Sequence, residues 1–333
     1  KPEVMNETEL GLDGAMFRGR VSFEASKYER VIKDLLVNYP LAPSSGLGTQ
    51  QINGGQMSTR GIEAGLSVVP ISTRDLEWTL RTTYQHNVQY IDKLSVPPFA
   101  PPGNFGVGYG RNRIVAGMRP TLIWGNVPFS CVNTTVAGKV VVGTGADGKA
   151  CHRIYPGDAA VAGSIVRDSV IADANPLSQT SFLNTLRWKS WSVTALVDWR
   201  VAGYTADMTK NLFDEGGNSR DFESASPDPN QTLGKFRYGS FSAGNIAPYI
   251  DLGSYVKLRE VNVSYQASKR IANLAHANEL RFSVQGRNLG MKSNYWSFDP
   301  EFNNFGNSNF NRFIDLAPYP SNRQFYFSVD LGY

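Results

Sequence analysis

Histidine is the side chain best suited to moving a proton near neutral pH. This chain has three, His86, His152 and His276, and no two are close in sequence. No nucleophile stands beside a base, and no pair of ligands has zinc spacing. Gly106-Val107-Gly108-Tyr109-Gly110 is glycine-rich, but it lacks the strand-then-helix setting of a phosphate-binding loop. Catalysis, a metal and a cofactor are therefore all unexpected. Cys131 and Cys151 have no further Cys or His at metal spacing. A disulfide formed in an oxidising compartment is the preferred reading, with two free thiols in a loop as the alternative.

Two other groupings point to binding. Tyr295, Trp296, Phe298, Phe302, Phe305, Phe310 and Phe313 lie among asparagines. Aromatic faces stack on apolar ligand surfaces while amides satisfy hydroxyl or backbone groups, so this stretch could contact sugars or peptides. The competing reading is that the rings pack the segment against its neighbours or a lid protein. Asp214, Glu215, Asp221, Glu223 and Asp228 form an acidic stretch. Its spacing is not that of an EF-hand, and a solvated acidic loop is the expectation.

The remaining charges alternate with apolar residues, and that pattern defines the elements that hold them. Glu63, Glu77, Arg81, Asp198, Arg200, Arg281 and Arg287, with Glu9, Asp13, Glu24 and Glu260, belong to stretches in which charged or polar residues alternate with apolar ones. Leu280, Phe282 and Val284 alternate with Arg281, Ser283, Gln285 and Arg287. Trp191, Val193, Ala195, Val197 and Trp199 alternate with Ser192, Thr194, Asp198 and Arg200. At the end of the chain, Phe325, Phe327, Val329, Leu331 and Tyr333 share one face. Period two over about ten residues is the signature of a transmembrane strand with one face on lipid and one on water. An arginine facing lipid at mid-depth costs about 2–4 kcal/mol. The charged faces are therefore assigned to the lumen, as mutually paired charges or as a substrate path.

Composition agrees. The chain of 333 residues contains Gly 32, Tyr 15, Phe 18 and Trp 6, with 19% charged residues. Mean hydropathy is -0.29, and no apolar run reaches the ~18 residues of a membrane-spanning helix. Strands that alternate their two faces keep hydropathy low. The net charge of +4 is spread out, without the basic cluster that nucleic acid requires.

Short connections are expected at Phe17-Arg18-Gly19, Ser72-Thr73-Arg74-Asp75, Lys189-Ser190 and about 267–278. Long ones are expected over 34–55, 93–177, 204–250 and 291–322, with a hairpin around 139–143. Their strict alternation is that of short periplasmic turns and long extracellular loops. The pattern gives about nine strands, an odd number with two open edges, which hydrocarbon does not tolerate. Lys1-Pro2-Glu3-Val4 leads straight into patterned sequence, so either the start has been removed or residue 1 lies inside a longer polypeptide, with the missing strands expected from the same gene product or another chain.

Specific segments then resemble a known family. Asp251 to Tyr265 contains Lys257-Leu258-Arg259-Glu260 and Ser264-Tyr265, similar to the "KLRE…SY" strand of SusC/RagA-type TonB-linked (TonB-dependent) outer-membrane proteins. Arg287-Asn288-Leu289, Asp299-Pro300-Glu301 and Tyr319-Pro320 with Arg323 resemble the motifs that follow it. Lys1-Pro2-Glu3 with Thr8-Glu9-Leu10-Gly11, and Asn53, Gly55, Met57 and Gly61-Ile62-Glu63, resemble its earlier strands. No motif falls in 93–177. Tyr333 stands where the family more often has Phe.

The resemblance implies an all-β, transmembrane antiparallel barrel. Residues 1–333 would be the C-terminal portion of a plugged barrel of about 22 strands, with the plug and earlier strands upstream. It implies import of oligosaccharides or peptides and a SusD-like surface lipoprotein. It further implies the TonB complex, reached through the N-terminal part, and the barrel assembly machinery, which reads the final strand. The alternatives are a structural surface-assembly barrel and a passive porin. Lys257 and Arg259 share a face with Val261 and Val263. If that face meets lipid, both reach headgroups at the outer interface.

Overall fold

The computed structural model describes residues 1–101, 109–129, 134–136, 139–141, 165–304 and 313–333. Its main body is one antiparallel sheet of nine strands. The first four are β1 (Val4–Met16), β2 (Val21–Pro40), β3 (Thr49–Ser72) and β4 (Leu76–Leu94). Two small two-stranded sheets follow, one pairing β5 (Leu122–Phe129) with β8 (Ile165–Asp173) and the other β6 (Thr134–Val136) with β7 (Lys139–Val141). The chain re-enters the main sheet in β9 (Pro176–Trp188) and β10 (Trp191–Ala202). The next loop holds β11 (Tyr204–Asp207), α1 (Met208–Glu215), α2 (Leu233–Ser242) and β12 (Ile250–Leu252). Then come β13 (Tyr255–Gln266), α3 (Lys269–Leu274), β14 (Glu279–Ser293), β15 (Ile314–Asp315) and β16 (Gln324–Gly332). The strand order is β1-β2-β3-β4-β9-β10-β13-β14-β16, with β1 and β16 at the edges.

Register carries the alternation across strands. Trp78, Leu186, Val193, Val263, Val284 and Phe327 form one continuous cross-strand row. The next row along is Thr79, Thr185, Thr194, Asn262, Gln285 and Tyr326. One row is apolar throughout and its neighbour polar throughout. A slip of one residue in any strand would exchange the faces, so the alternation itself fixes the pairing. The apolar face is exposed, with Phe327 at 80% and Val284 at 45%. A face this extensive and this apolar needs lipid as its solvent.

The four short connections fall where the pattern placed them. Phe17, Arg18 and Gly19 all have positive φ, 54°, 58° and 83°, in a tight turn between Met16 and Val21, which pair across it. Lys189 also has positive φ, and α3 occupies the fourth connection.

The first long connection departs from expectation. β2 runs 20 residues and β3 24, so most of 34–55 is strand and the loop is only 41–48. About 9–11 residues suffice to cross the membrane, so the sheet continues well past it. Leu35, Val37, Ile91, Phe99 and Ile114 bury together and support this extension. The Asn53-Gly54-Gly55 run reads as a loop, but a Cβ at Gly55 would stand 2.4 Å from the Lys93 carbonyl oxygen. The glycine permits close strand approach rather than a turn. The hairpin expected around 139–143 is β6–β7, in which Val136 pairs with Lys139.

Candidate functional site

The polar face of the sheet lines an open groove of about 940 Å³. Glu9, Asp13, Glu24, Glu63 and Asp198 contribute carboxylates to it, Arg259 a guanidinium, and Glu301 enters from a loop. Several wall charges are paired across strands. Glu77 meets Arg187 at 3.2 Å, Arg81 meets Glu24 at 3.9 Å and Arg287 meets Glu260 at 3.1 Å. Arg281 donates to Gln266 at 3.2 Å and faces Asp330 in register. Glu9, Asp13 and Glu63 make no ion pair among the described residues, which leaves β1 and β3 presenting an acidic wall.

The densest charge lies where β13 bulges. Against β10, Leu196 pairs with Glu260 and Val197 with Leu258, which leaves Arg259 as the extra residue. A bulge of this kind re-aims side chains. Here it turns Lys257 and Arg259 onto the polar face, although they share sequence parity with Val261 and Val263. The expectation that they reach lipid headgroups is therefore corrected. Lys257 Nζ binds both oxygens of Asp299, at 2.6 and 2.7 Å, and also Glu301. Arg259 donates to Asp198 at 2.6 Å and grips Glu301 with two nitrogens, at 2.7 and 2.5 Å. The Tyr255 hydroxyl donates to the same carboxylate at 2.5 Å.

Burial pushes the Glu301 carboxyl up, but the hydrogen bonds from Arg259, Lys257 and Tyr255 outweigh it and hold the group at about 2. Charge-assisted bidentate contacts of this kind are the strong ones. The Asp299-Pro300-Glu301 turn therefore clamps the last long loop to the wall. Arg200 nearby has no carboxylate partner among the described residues. It makes one weak contact, to the Ala174 carbonyl at 3.4 Å, and its Nε is buried without a partner.

Above the wall, the loops pack as a small body. Ile123, Ala206, Met208, Ile246, Tyr249, Phe313 and Ile314 form its core. Phe313 is thus buried, and so is Tyr295, whose hydroxyl donates to Asp315 at 2.7 Å. Trp296 donates to Asp221 at 3.0 Å and packs on Phe213, with ring centroids 5.8 Å apart. Phe302 is half-buried, while Phe298 is 49% exposed. Phe305 and Phe310 lie outside the described residues, as do Cys131 and Cys151.

The acidic stretch is not a solvated loop throughout. Arg237 grips Asp214 at 2.7 Å and Asp221 at 2.8 Å with paired nitrogens. Those contacts, foremost the Arg237 hydrogen bonds, hold Asp221 at about 2. Among the described residues no three ligands converge as a metal site would require. On the last strand, Phe325, Phe327, Val329 and Leu331 are exposed along one face, with Tyr333 exposed just past its end.

A family model described as "TonB dependent receptor-like, beta-barrel" matches residues 1–289. The chain belongs to that family. TonB-dependent receptor-like barrels are outer-membrane receptors and transporters rather than enzymes. The TonB-dependent receptors P3 and P26 of Formosa agariphila are 24% and 25% identical over 100% and 91% of this chain. The chain spans about a third of their length, 34% and 32%.

Among solved structures, the RagAB peptide importer in the closed-closed state superposes with a TM-score of 0.70 at 18% identity. It covers 98% of this chain, which spans 35% of that one. The RagAB peptide transporter gives 0.69 at 19%, again over 98% of this chain and 35% of that one. These likenesses establish the fold, and the resemblance to TonB-dependent outer-membrane proteins read from the motifs holds. In this family's terms the polar face is the lumen and the long loops are extracellular.

Proposed function

We propose that the full-length protein carries oligosaccharides or peptides inward across the outer membrane, driven by the TonB complex through its N-terminal part. In this reading the 333 residues are the C-terminal strands and loops of a plugged barrel, with plug and earlier strands upstream. A SusD-like lipoprotein closes over the loops, and the barrel assembly machinery recognises Phe325, Phe327, Val329, Leu331 and Tyr333. The single observation that carries the reading is an acid-lined lumen wall with an extracellular loop clamped onto it through Glu301. A clamped loop over the lumen is the arrangement a gated importer would use, and dependence of uptake on energy is what separates it from a passive pore.

Peptide cargo is favoured by the likeness in fold to the RagAB peptide importer. Phe298 is offered as the loop aromatic nearest to ligand, since Tyr295, Trp296 and Phe313 are engaged within the loop body. The lumen charges Glu63, Glu77, Arg81, Asp198, Arg200, Arg281 and Arg287 border the path.

Uptake of labelled oligopeptides and oligosaccharides by cells with and without the intact gene tests this. Gene-dependent uptake that stops when a protonophore collapses the proton gradient is the expected result. Gene-dependent uptake that persists without energy would make the protein a pore. Absence of uptake, with loops required for a surface assembly, would make it structural. Copurification of a surface lipoprotein under mild detergent tests the partner separately.

A further inference from the structure

Two extracellular loops, 203–254 and 294–323, meet at a pair of acids. β11 and β15 run parallel, placing Ala206 beside Ile314 and Asp207 beside Asp315. Asp207 is fully buried, and Asp315 is 1% exposed. Asp207 caps α1 by accepting from the Lys210 amide at 2.8 Å, and it accepts from the Ser297 hydroxyl and amide. Asp315 accepts from the Thr209 hydroxyl at 2.6 Å and the Tyr295 hydroxyl at 2.7 Å. Every one of these donors is neutral.

That sets the pair apart from the other buried acids here. Asp214 is gripped by Arg237, and Asp299 by Lys257. The cation nearest in sequence to the pair is Lys210, but its Nζ is taken by Asp251 and the Pro248 carbonyl and lies against the Tyr249 ring. The charged neighbours that act on Asp207 and Asp315 are themselves acids, Asp251 and Asp299, and the phenol of Tyr295 is buried beside them. A buried carboxylate without a cation is costly when ionised and comfortable when protonated. Both acids lie at a seam between loops, where the cost is relieved by separation.

We propose that Asp207 and Asp315 form a proton-operated latch that holds segments 294–304 and 313–317 onto the 203–254 loop. The latch is tight when the pair is protonated and loosens when it ionises. Burial first, and then Asp251 and Asp315, push the Asp207 carboxyl up to about 7, against the hydrogen bonds from Ser297 and Lys210. Asp315 is raised as well, chiefly by burial. In separated loops both would ionise in the usual carboxylate range, near ~4. The docked form thus keeps protons that the separated form releases. The latch's own contribution to docking is at full strength below about pH 4 and is lost progressively as pH rises through about 7, a window above the one in which the Glu301 clamp weakens. Extracellular pH would then set how freely the loop over the lumen moves, whatever the cargo and energy source.

Amide hydrogen-exchange protection of the full-length protein in detergent micelles tests the latch. Between about pH 5 and about pH 8, protection of 294–304 and 313–317 should fall about tenfold or more, with the barrel strands unchanged. Asp207→Asn with Asp315→Asn keeps the cap acceptor and removes ionisation, so its protection should be flat with pH. A flat wild-type profile, or a variant that keeps the wild-type slope, overturns the proposal. Infrared spectroscopy of the wild type needs no variant to fold. A carboxylic-acid carbonyl band should persist near pH ~6, above the usual carboxylate range, and vanish by pH ~9. Its absence at the lower pH also overturns the proposal.

Discussion

The membrane wall and the loop body above it handle charge in opposite ways. In the wall, a charge is tolerated by which face it occupies. Arg281, Arg287 and Glu77 lie on the polar face and are partly solvated, and a partner adds little. In the loop body, a charge is tolerated by what touches it. Asp214 has no exposed side-chain surface and is acceptable because Arg237 surrounds it. The reason is the solvent. Lumen water screens exposed charges of the polar face such as Arg281, Arg287 and Glu77, whereas the loop core offers no such relief and demands a specific partner. The wall is therefore a one-dimensional pattern repeated, and the loop body is a small soluble core set on top of it.

Variants that break each rule separately sharpen this comparison. Arg237→Leu carries the largest expected effect. It leaves Asp214 and Asp221 without their cation, and losing one partner of a buried pair costs about 3–5 kcal/mol. Hydrogen exchange should show 203–254 opening while the heat-modifiable barrel stays folded. Loss of both together would mean that wall and loops are one cooperative unit.

Val284→Arg comes next, at about 2–4 kcal/mol for a cation facing lipid at mid-depth. Gln285→Arg, one residue on, faces water and should assemble nearly as wild type. Equal yields of assembled barrel for the two would overturn the inside-outside assignment.

Glu301→Gln tests the clamp that joins the two regions. It removes hydrogen bonds to charged groups worth about 1.5–3 kcal/mol, and 294–304 should lose protection. Because the carboxyl is held down at about 2, the clamp is fully formed above the usual carboxylate range. It weakens as pH falls from there through about 2. Wild-type loop protection that does not drop at such low pH would argue against the ion pair. The smallest effect is expected of Tyr333→Ser or deletion of Tyr333, read as a lower amount of assembled barrel in outer membranes.

Most of the wall was legible in the sequence. The blocks around Trp191–Trp199 and Phe325–Tyr333 announce their faces through period two. Phe17-Arg18-Gly19 and Lys189-Ser190 mark turns because little else fits between two such blocks. Two features escaped. The strands of 34–55 read as a loop because glycines that allow close strand approach resemble glycines that allow turns. Lys257 and Arg259 were assigned to the wrong face because a bulge shifts parity, and nothing in the local residues distinguishes a bulged Arg259 from a paired one. The Asp299-Pro300-Glu301 motif stands out in the sequence without its partners. Separations of 42 and 44 residues between Lys257 and its acids leave no local signature.

By itself, then, the sequence determined that this chain forms membrane-spanning strands, which face meets lipid wherever a strand runs without a bulge, and where the short turns fall. Each of those follows from the cost of one side chain in one solvent, and that cost is paid residue by residue. Tertiary structure alone decided where the wall bulges, which acids the loops bury, and that Asp207 lies beside Asp315. Those depend on pairing between segments distant in the chain, where one carboxylate's energy is set by groups its own neighbours in sequence do not reveal.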